Sequence, residues 1–166
     1  MVKKIRTYEI IGYFFVGILG AFQHFFYEWF GHNKFIACFA PINESPWEHL
    51  KLIFFPMMLF TVFEYIILGE EAGNIVMLKY IGTLLAMFFT ISAYYTYSGI
   101  IGKNHMIPDL IIFYLAIFIP PFLTVKKIRH MKNSNISGLL LWVLTGALFV
   151  IFTFYVPQIG LFKNYE

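Results

Sequence analysis

Charge is scarce in this chain. Of its 166 residues only 13% are Asp, Glu, Lys or Arg, against about 25% in an ordinary soluble domain. With 60% of the residues hydrophobic and 21% aromatic, there are too few polar side chains to coat a water-facing globule. The net charge of +3 is not gathered into a basic stripe, which argues against a nucleic-acid reader. A single cysteine, Cys38, excludes an internal disulfide framework and every Cys-rich metal site. Pro-, Ser- and Gln-rich tracts are missing as well, so the chain is not of the disordered class. What is present instead is apolar sequence in long runs.

A helix needs about 20 mostly apolar residues to cross the hydrocarbon core of a bilayer. Five stretches qualify, at about 8–30, 47–68, 78–97, 108–125 and 136–156. They lack strand alternation and are too long for barrel strands. The first has no small-x-small cleavage site and exceeds the usual apolar length of a signal peptide. The expected fold is therefore an all-α, integral membrane bundle of five transmembrane helices forming a single domain over residues 1–166. Gly17 and Ala21 form a small-x-x-x-small pair that predicts close packing of the first helix on a neighbour. Pro56, Pro120 and Pro121 are expected to kink or end helices.

Orientation follows from the basic residues, which collect on the cytoplasmic side of membrane proteins. With the N-terminus inside, the inner side holds Lys3, Lys4, Arg6, Lys79, Lys126, Lys127, Arg129 and Lys132. The outer side keeps only Lys34, Lys51, Lys103 and Lys163. This predicts the N-terminus inside, the C-terminus outside, and the loop 31–46 on the outer face.

Ionisable groups at hydrophobic depth are costly and each calls for a partner or a job. His24 and Glu28 lie four apart, on one face of the first helix. Such a pair can bind a metal, hold a cation or pass a proton; it can also be an intrahelical hydrogen bond that neutralises both side chains. The densest polar run is Asn43-Glu44-Ser45-Pro46-Trp47-Glu48-His49. Its core reads as a capping box, Ser45 accepting from the Glu48 amide while the Glu48 side chain returns to the Ser45 amide, with Pro46 at the first helical position. The box leaves Glu44 and His49 unexplained. His105 and Asp109 again lie four apart at the start of the fourth helix, where the dipole favours Asp109. Tyr94, Tyr95 and Tyr97, with Trp29 and Trp47, read as an interfacial aromatic belt.

The topology thus gathers His24, Glu28, Glu44, Glu48, His49, His105 and Asp109 towards one membrane face. Two or three His with a carboxylate suit zinc or another divalent ion; without metal they can serve as general acid and base. His24, His49, Glu28 and Glu44 are the candidate catalytic groups, and His24, His49 and Glu44 the candidate metal ligands. Trp47, Glu48, His105 and Asp109 are the candidate ligand-binding residues. On the inner side, Glu9 is expected to be neutralised by Lys3, Lys4 or Arg6. Glu64 is expected either to pair with a snorkelling Lys79 or to belong to a proton or ion path.

The stretch Pro41-Ile42-Asn43-Glu44-Ser45-Pro46-Trp47-Glu48-His49-Leu50-Lys51 resembles the signature of a family of small bacterial multipass membrane proteins of unknown function. Tyr94 to Asn104, with Asp109, is similar to a second block of that family. The resemblance implies a bacterial inner-membrane location and supplies no activity. His24-Phe25-Phe26-Tyr27-Glu28 and Trp47-Glu48 also resemble the sterol-isomerase-like EXPERA domain, where such residues line a pocket for a lipophilic, cationic intermediate. The helix order departs from that domain, since one crossing follows the region here instead of preceding it.

Three readings of function follow. One is a polar site near the outer leaflet that binds or transforms a lipophilic small molecule, with metal assistance as an option. Another is a small transporter or channel subunit with a polar route joining the outer cluster to Glu64. The third is a non-catalytic subunit packing on a larger membrane complex or on copies of itself.

Overall fold

The computed structural model describes residues 2–68, 73–128 and 134–163. Arg129 and Lys132, which enter the expected inner charge count, lie outside the described residues. Among the described residues all regular structure is helical. Helix α1 spans Val2–Trp29, a single turn α2 spans Lys34–Ala37, and α3 spans Pro46–Leu68. Helix α4 spans Ile75–Ile101, α5 Met106–Ala116, α6 Ile119–Lys127 and α7 Asn135–Phe154, followed by a 3-10 turn at Gly160–Phe162. Five segments are long and apolar enough to cross a membrane: Lys3–Trp29, Pro46–Leu68, Ile75–Ile101, Met106–Lys127 and Asn135–Phe154.

The boundaries have local causes. Helix α1 ends in a Schellman motif, the His32 amide reaching the Tyr27 carbonyl and the Gly31 amide the Glu28 carbonyl, with Gly31 at φ +64°. Helix α4 runs to Ile101, beyond the expected end at 97, and stops where Gly102 turns left-handed at φ +81°. The fourth crossing is two helices instead of one. Pro120 and Pro121 lack the amides that would serve the Ala116 and Ile117 carbonyls, so the helix breaks there and restarts with proline in its first turn. Pro56 does not end α3.

Helices α3 and α4 occupy the centre, and α1, α6 and α7 pack around them. Buried side chains along α3, among them Ile53, Phe54, Met57 and Phe60, interlock with Val16, Leu78, Ala86, Trp142 and Phe149. The outer faces carry large exposed apolar side chains, for instance Phe14, Ile18 and Phe22 on α1 and Leu140 and Leu144 on α7. Apolar outside and apolar inside is what a bilayer-embedded bundle requires.

Helix α1 meets the α3 backbone at Gly20, one residue away from the expected Gly17–Ala21 pair. Pro56 leaves the Leu52 carbonyl without its helical donor, and that oxygen abuts Gly20. A Cβ built on Gly20 would stand 2.6 Å from it. Gly17 instead faces the Tyr114 and Ile117 side chains, which have room to shift. Gly20→Ala is therefore expected to lower stability by about 1–3 kcal/mol, as overpacking does, and Gly17→Ala by less. Thermal unfolding in detergent checks both, and an equal effect of the two would contradict the backbone contact.

Candidate metal centre

Three side chains from three segments meet at one end of the bundle. His24 comes from α1, one turn past Gly20. His49 comes from the first turn of α3, and Glu44 from the loop just before it. The His24 and His49 Nε2 atoms are 3.2 Å apart. Glu44 sets one carboxylate oxygen 3.3 Å from His49 Nε2 and the other 3.7 Å from His24 Nε2. All three side chains are about one-third to two-fifths exposed.

The loop reaches this position through buried hydrogen bonds. Lys51 is fully buried, and its ammonium donates to Glu48 Oε2 at 2.7 Å, the Ala37 carbonyl at 2.8 Å and the Ala40 carbonyl at 3.3 Å. Glu48 Oε2 also accepts the Ile42 amide at 3.0 Å, and Glu48 Oε1 lies 3.1 Å from the Thr153 hydroxyl of α7. From α1, Gln23 donates to the Phe39 carbonyl at 2.6 Å and to the Lys51 carbonyl at 3.4 Å. Glu44 is thus delivered by a loop whose preceding backbone is held at Ala37, Phe39, Ala40 and Ile42.

The expected capping box forms only by half. The Glu48 amide donates to Ser45 Oγ at 3.4 Å. The Ser45 amide, however, donates to Asn43 Oδ1 at 2.9 Å, because the Glu48 carboxylate is already engaged by Lys51. The Ser45 carbonyl lies 3.1 Å from His49 Nδ1. A carbonyl can only accept, so Nδ1 carries a proton, and Nε2 is the ring nitrogen turned towards His24 and Glu44.

Three Lewis-basic atoms therefore face one small space. Hydrogen bonds from His24 and then His49 outweigh burial and hold the Glu44 carboxyl well below the usual carboxylate range. A tetrahedral zinc ion with bonds of about 2.0–2.1 Å separates its ligand atoms by about 3.3–3.4 Å. The His24–His49 and His49–Glu44 distances, 3.2 and 3.3 Å, are close to that figure, while the 3.7 Å contact to His24 is made by the other Glu44 oxygen. Of the described residues, the group that could hold a metal ion is this one. Two imidazoles and one carboxylate leave the fourth position of a tetrahedron open, and the Ser45 carbonyl on His49 Nδ1 is the outer-shell acceptor such ligands use.

The other candidates fall elsewhere. Glu28 is exposed near the end of α1 and does not belong to the group, so the His24–Glu28 pairing gives way to His24 with Glu44 and His49. Glu48 is 3% exposed and spent on Lys51 and the loop, which leaves it no free oxygen for a ligand. Trp47 is packed among Phe149, Phe152 and Phe162. His105 is exposed, and its amide donates to the Tyr97 hydroxyl oxygen at 3.2 Å. Asp109 accepts the Tyr97 hydroxyl in place of the expected His105 partner. It lies within electrostatic reach of His49 but outside the three-ligand group. Lys51, Gln23 and Thr153 were not among the expected site residues. The signal for Lys51 was present, a lysine three residues after a glutamate inside an otherwise apolar run.

Removing one partner of a buried ion pair strands the other, at a cost of about 3–5 kcal/mol. Lys51→Met is therefore expected to lower the unfolding free energy by that much, and Lys51→Met with Glu48→Gln by clearly less. Chemical unfolding of the single and double variants checks this; equal losses would mean that the pair is not coupled.

No curated protein and no solved structure matches the chain. A family model does match, over residues 1–165, and the chain belongs to that family of unknown function, DUF6512.

Proposed function

We propose that this membrane protein holds a divalent metal ion, zinc by ligand chemistry, on His24, His49 and Glu44. The observation that carries the reading is the convergence of two imidazole nitrogens and one carboxylate from three separate segments. Capping explains Ser45 and Glu48; it does not explain why two imidazoles and a carboxylate face one another. Borderline-soft imidazole nitrogen with one carboxylate oxygen suits zinc better than calcium or magnesium, which favour oxygen ligands.

The open fourth position would receive water or the polar end of a lipophilic molecule entering from the bilayer. A metal there polarises a carbonyl or phosphoryl oxygen, or makes bound water a nucleophile near neutral pH. The site lies about five residues, roughly 7–8 Å, from the end of α1, a depth where headgroups and acyl chains meet. Together with the basic-residue count, our reading puts the cluster at the outer leaflet of a bacterial inner membrane, with the N-terminus inside and the chain one domain. The transport reading finds less support. His49 and Glu64 are fifteen residues apart on one helix, about 22 Å, and that interval is filled by the buried Ile53, Phe54, Met57 and Phe60.

The test is zinc titration of purified, chelator-stripped protein by calorimetry, with the bound metal counted by elemental analysis. One zinc per chain is expected. His24→Ala, His49→Ala and Glu44→Gln should each weaken binding at least about tenfold, or 1.4 kcal/mol, while Glu28→Gln leaves it unchanged. Wild-type protein that binds no zinc, or zinc binding untouched by both histidine variants, would remove the assignment.

A further inference from the structure

A second polar cluster lies at the other end of the bundle, and the metal site makes no use of it. Glu9 of α1, Glu64 of α3 and Lys79 of α4 meet there, with exposures of 2%, 0% and 1%. The expectation that Glu9 leans on Lys3, Lys4 or Arg6 is corrected, since those cations are exposed and Glu9 accepts from Lys79. Glu64 does pair with Lys79, at 3.2 Å. Lys79 does not snorkel: it is enclosed, with its ammonium 5.3 Å from the centroid of the Phe60 ring.

The charges in this cluster do not balance. Two carboxylates face one ammonium, so the fully ionised cluster carries one net negative charge inside the bundle. Burying an uncompensated charge is far more costly than burying a neutral pair. The oxygens are in surplus as well. Glu9 Oε1 and Glu64 Oε1 are buried and have no hydrogen-bond partner among the described residues, and Glu64 Oε2 faces only the Lys79 ammonium, at 3.2 Å. Of the neighbouring hydroxyls, that of Thr124 comes within hydrogen-bonding reach of Glu9, but its proton has a competing acceptor. Thr124 of α6, beside Glu9, bonds to the Pro120 carbonyl; Thr61 and Thr83, on the Glu64 and Lys79 helices, bond to the Met57 and Lys79 carbonyls. Helix α6 adds no buried charge, its Lys126 and Lys127 being exposed. Among the described residues, the surroundings are rich in acceptors and lack one positive charge.

We propose that the Glu9–Glu64–Lys79 cluster is a binding site for one unit of positive charge, a proton or a monovalent alkali ion. Neutrality sets the stoichiometry at one, and the unpartnered Glu9 Oε1 and Glu64 Oε1 are the atoms that receive it.

The test uses the full chain reconstituted in lipid vesicles. Infrared spectroscopy with carbon-13 glutamate reads protonated carboxyls, and equilibrium binding of radioactive sodium and rubidium reads an alkali ion. The two measurements together should give one ligand charge per chain in the wild type. Glu9→Gln and Glu64→Gln should each reduce it to zero, because one carboxylate and Lys79 then neutralise each other. Lys79→Met should raise it to two. A protonated carboxyl identifies the ligand as a proton, and bound sodium or rubidium as an alkali ion. A wild type that shows neither overturns the proposal on its own, whatever the variants do; so does a signal that survives both glutamine substitutions.

Discussion

Lys51 has no exposed surface, and what it does there conditions the rest of this end of the molecule. The loop between the first two crossings folds back over the bundle and brings polar backbone with it. Helix α2 is a single turn: its Phe35 and Ile36 carbonyls take amides from the residues that follow, and the Ala37 carbonyl takes a side-chain donor. The Lys51 ammonium has three N–H donors and finds three acceptors, the Ala37 and Ala40 carbonyls and the Glu48 carboxylate. Glu48 in turn receives the Ile42 amide. Each group is satisfied by the others, the condition under which a buried ion pair is tolerated. Two residues after Ile42 stands Glu44, and one residue before His24 stands Gln23, which ties α1 to the same loop. One network thus sets the positions of both a carboxylate and an imidazole.

That division of labour explains which carboxylate is available for chemistry. Glu48 is the more buried and the better hydrogen-bonded, so it is committed to structure. Glu44 has no backbone amide to serve and faces two imidazoles, so its charge is free to compensate a cation. Glu28 shares its helix with His24, yet it stands one turn nearer the helix end and is exposed. Proximity along the chain counted for less than the fold of the loop.

The five crossings were legible because hydropathy over twenty residues is a property of composition, and no tertiary contact overrides it. Helix ends were less so: the break before Pro120 and the extension to Ile101 depend on which backbone groups find partners. The polar cluster at the loop end was legible as a group of residue types, and the three candidate metal ligands among them, His24, His49 and Glu44, do converge. What holds Glu48 apart from them was not legible. The motif places Glu44 and Glu48 four residues apart, on either side of a helix start, and the choice between them is made by Lys51 from inside the bundle. A pattern of i, i+4 spacings sees contacts within one helix, whereas the pairings found here, His24 with His49 and Glu9 with Lys79, join different helices.

The two ends of α3 apply one physical rule with different charge counts. At the loop end, one glutamate and one lysine are buried as a neutral pair with every donor used, and the remaining negative charge, on Glu44, sits where solvent and a cation reach it. At the far end, two glutamates share one lysine, the excess charge is enclosed, and the nearby hydroxyls have acceptors in their own helices. Between them α3 presents Phe54, Met57 and Phe60 to its neighbours, an apolar interval. A conduit would need these clusters connected. Their separation, together with the different accounting of charge in each, fits two independent sites held apart by a single rigid helix.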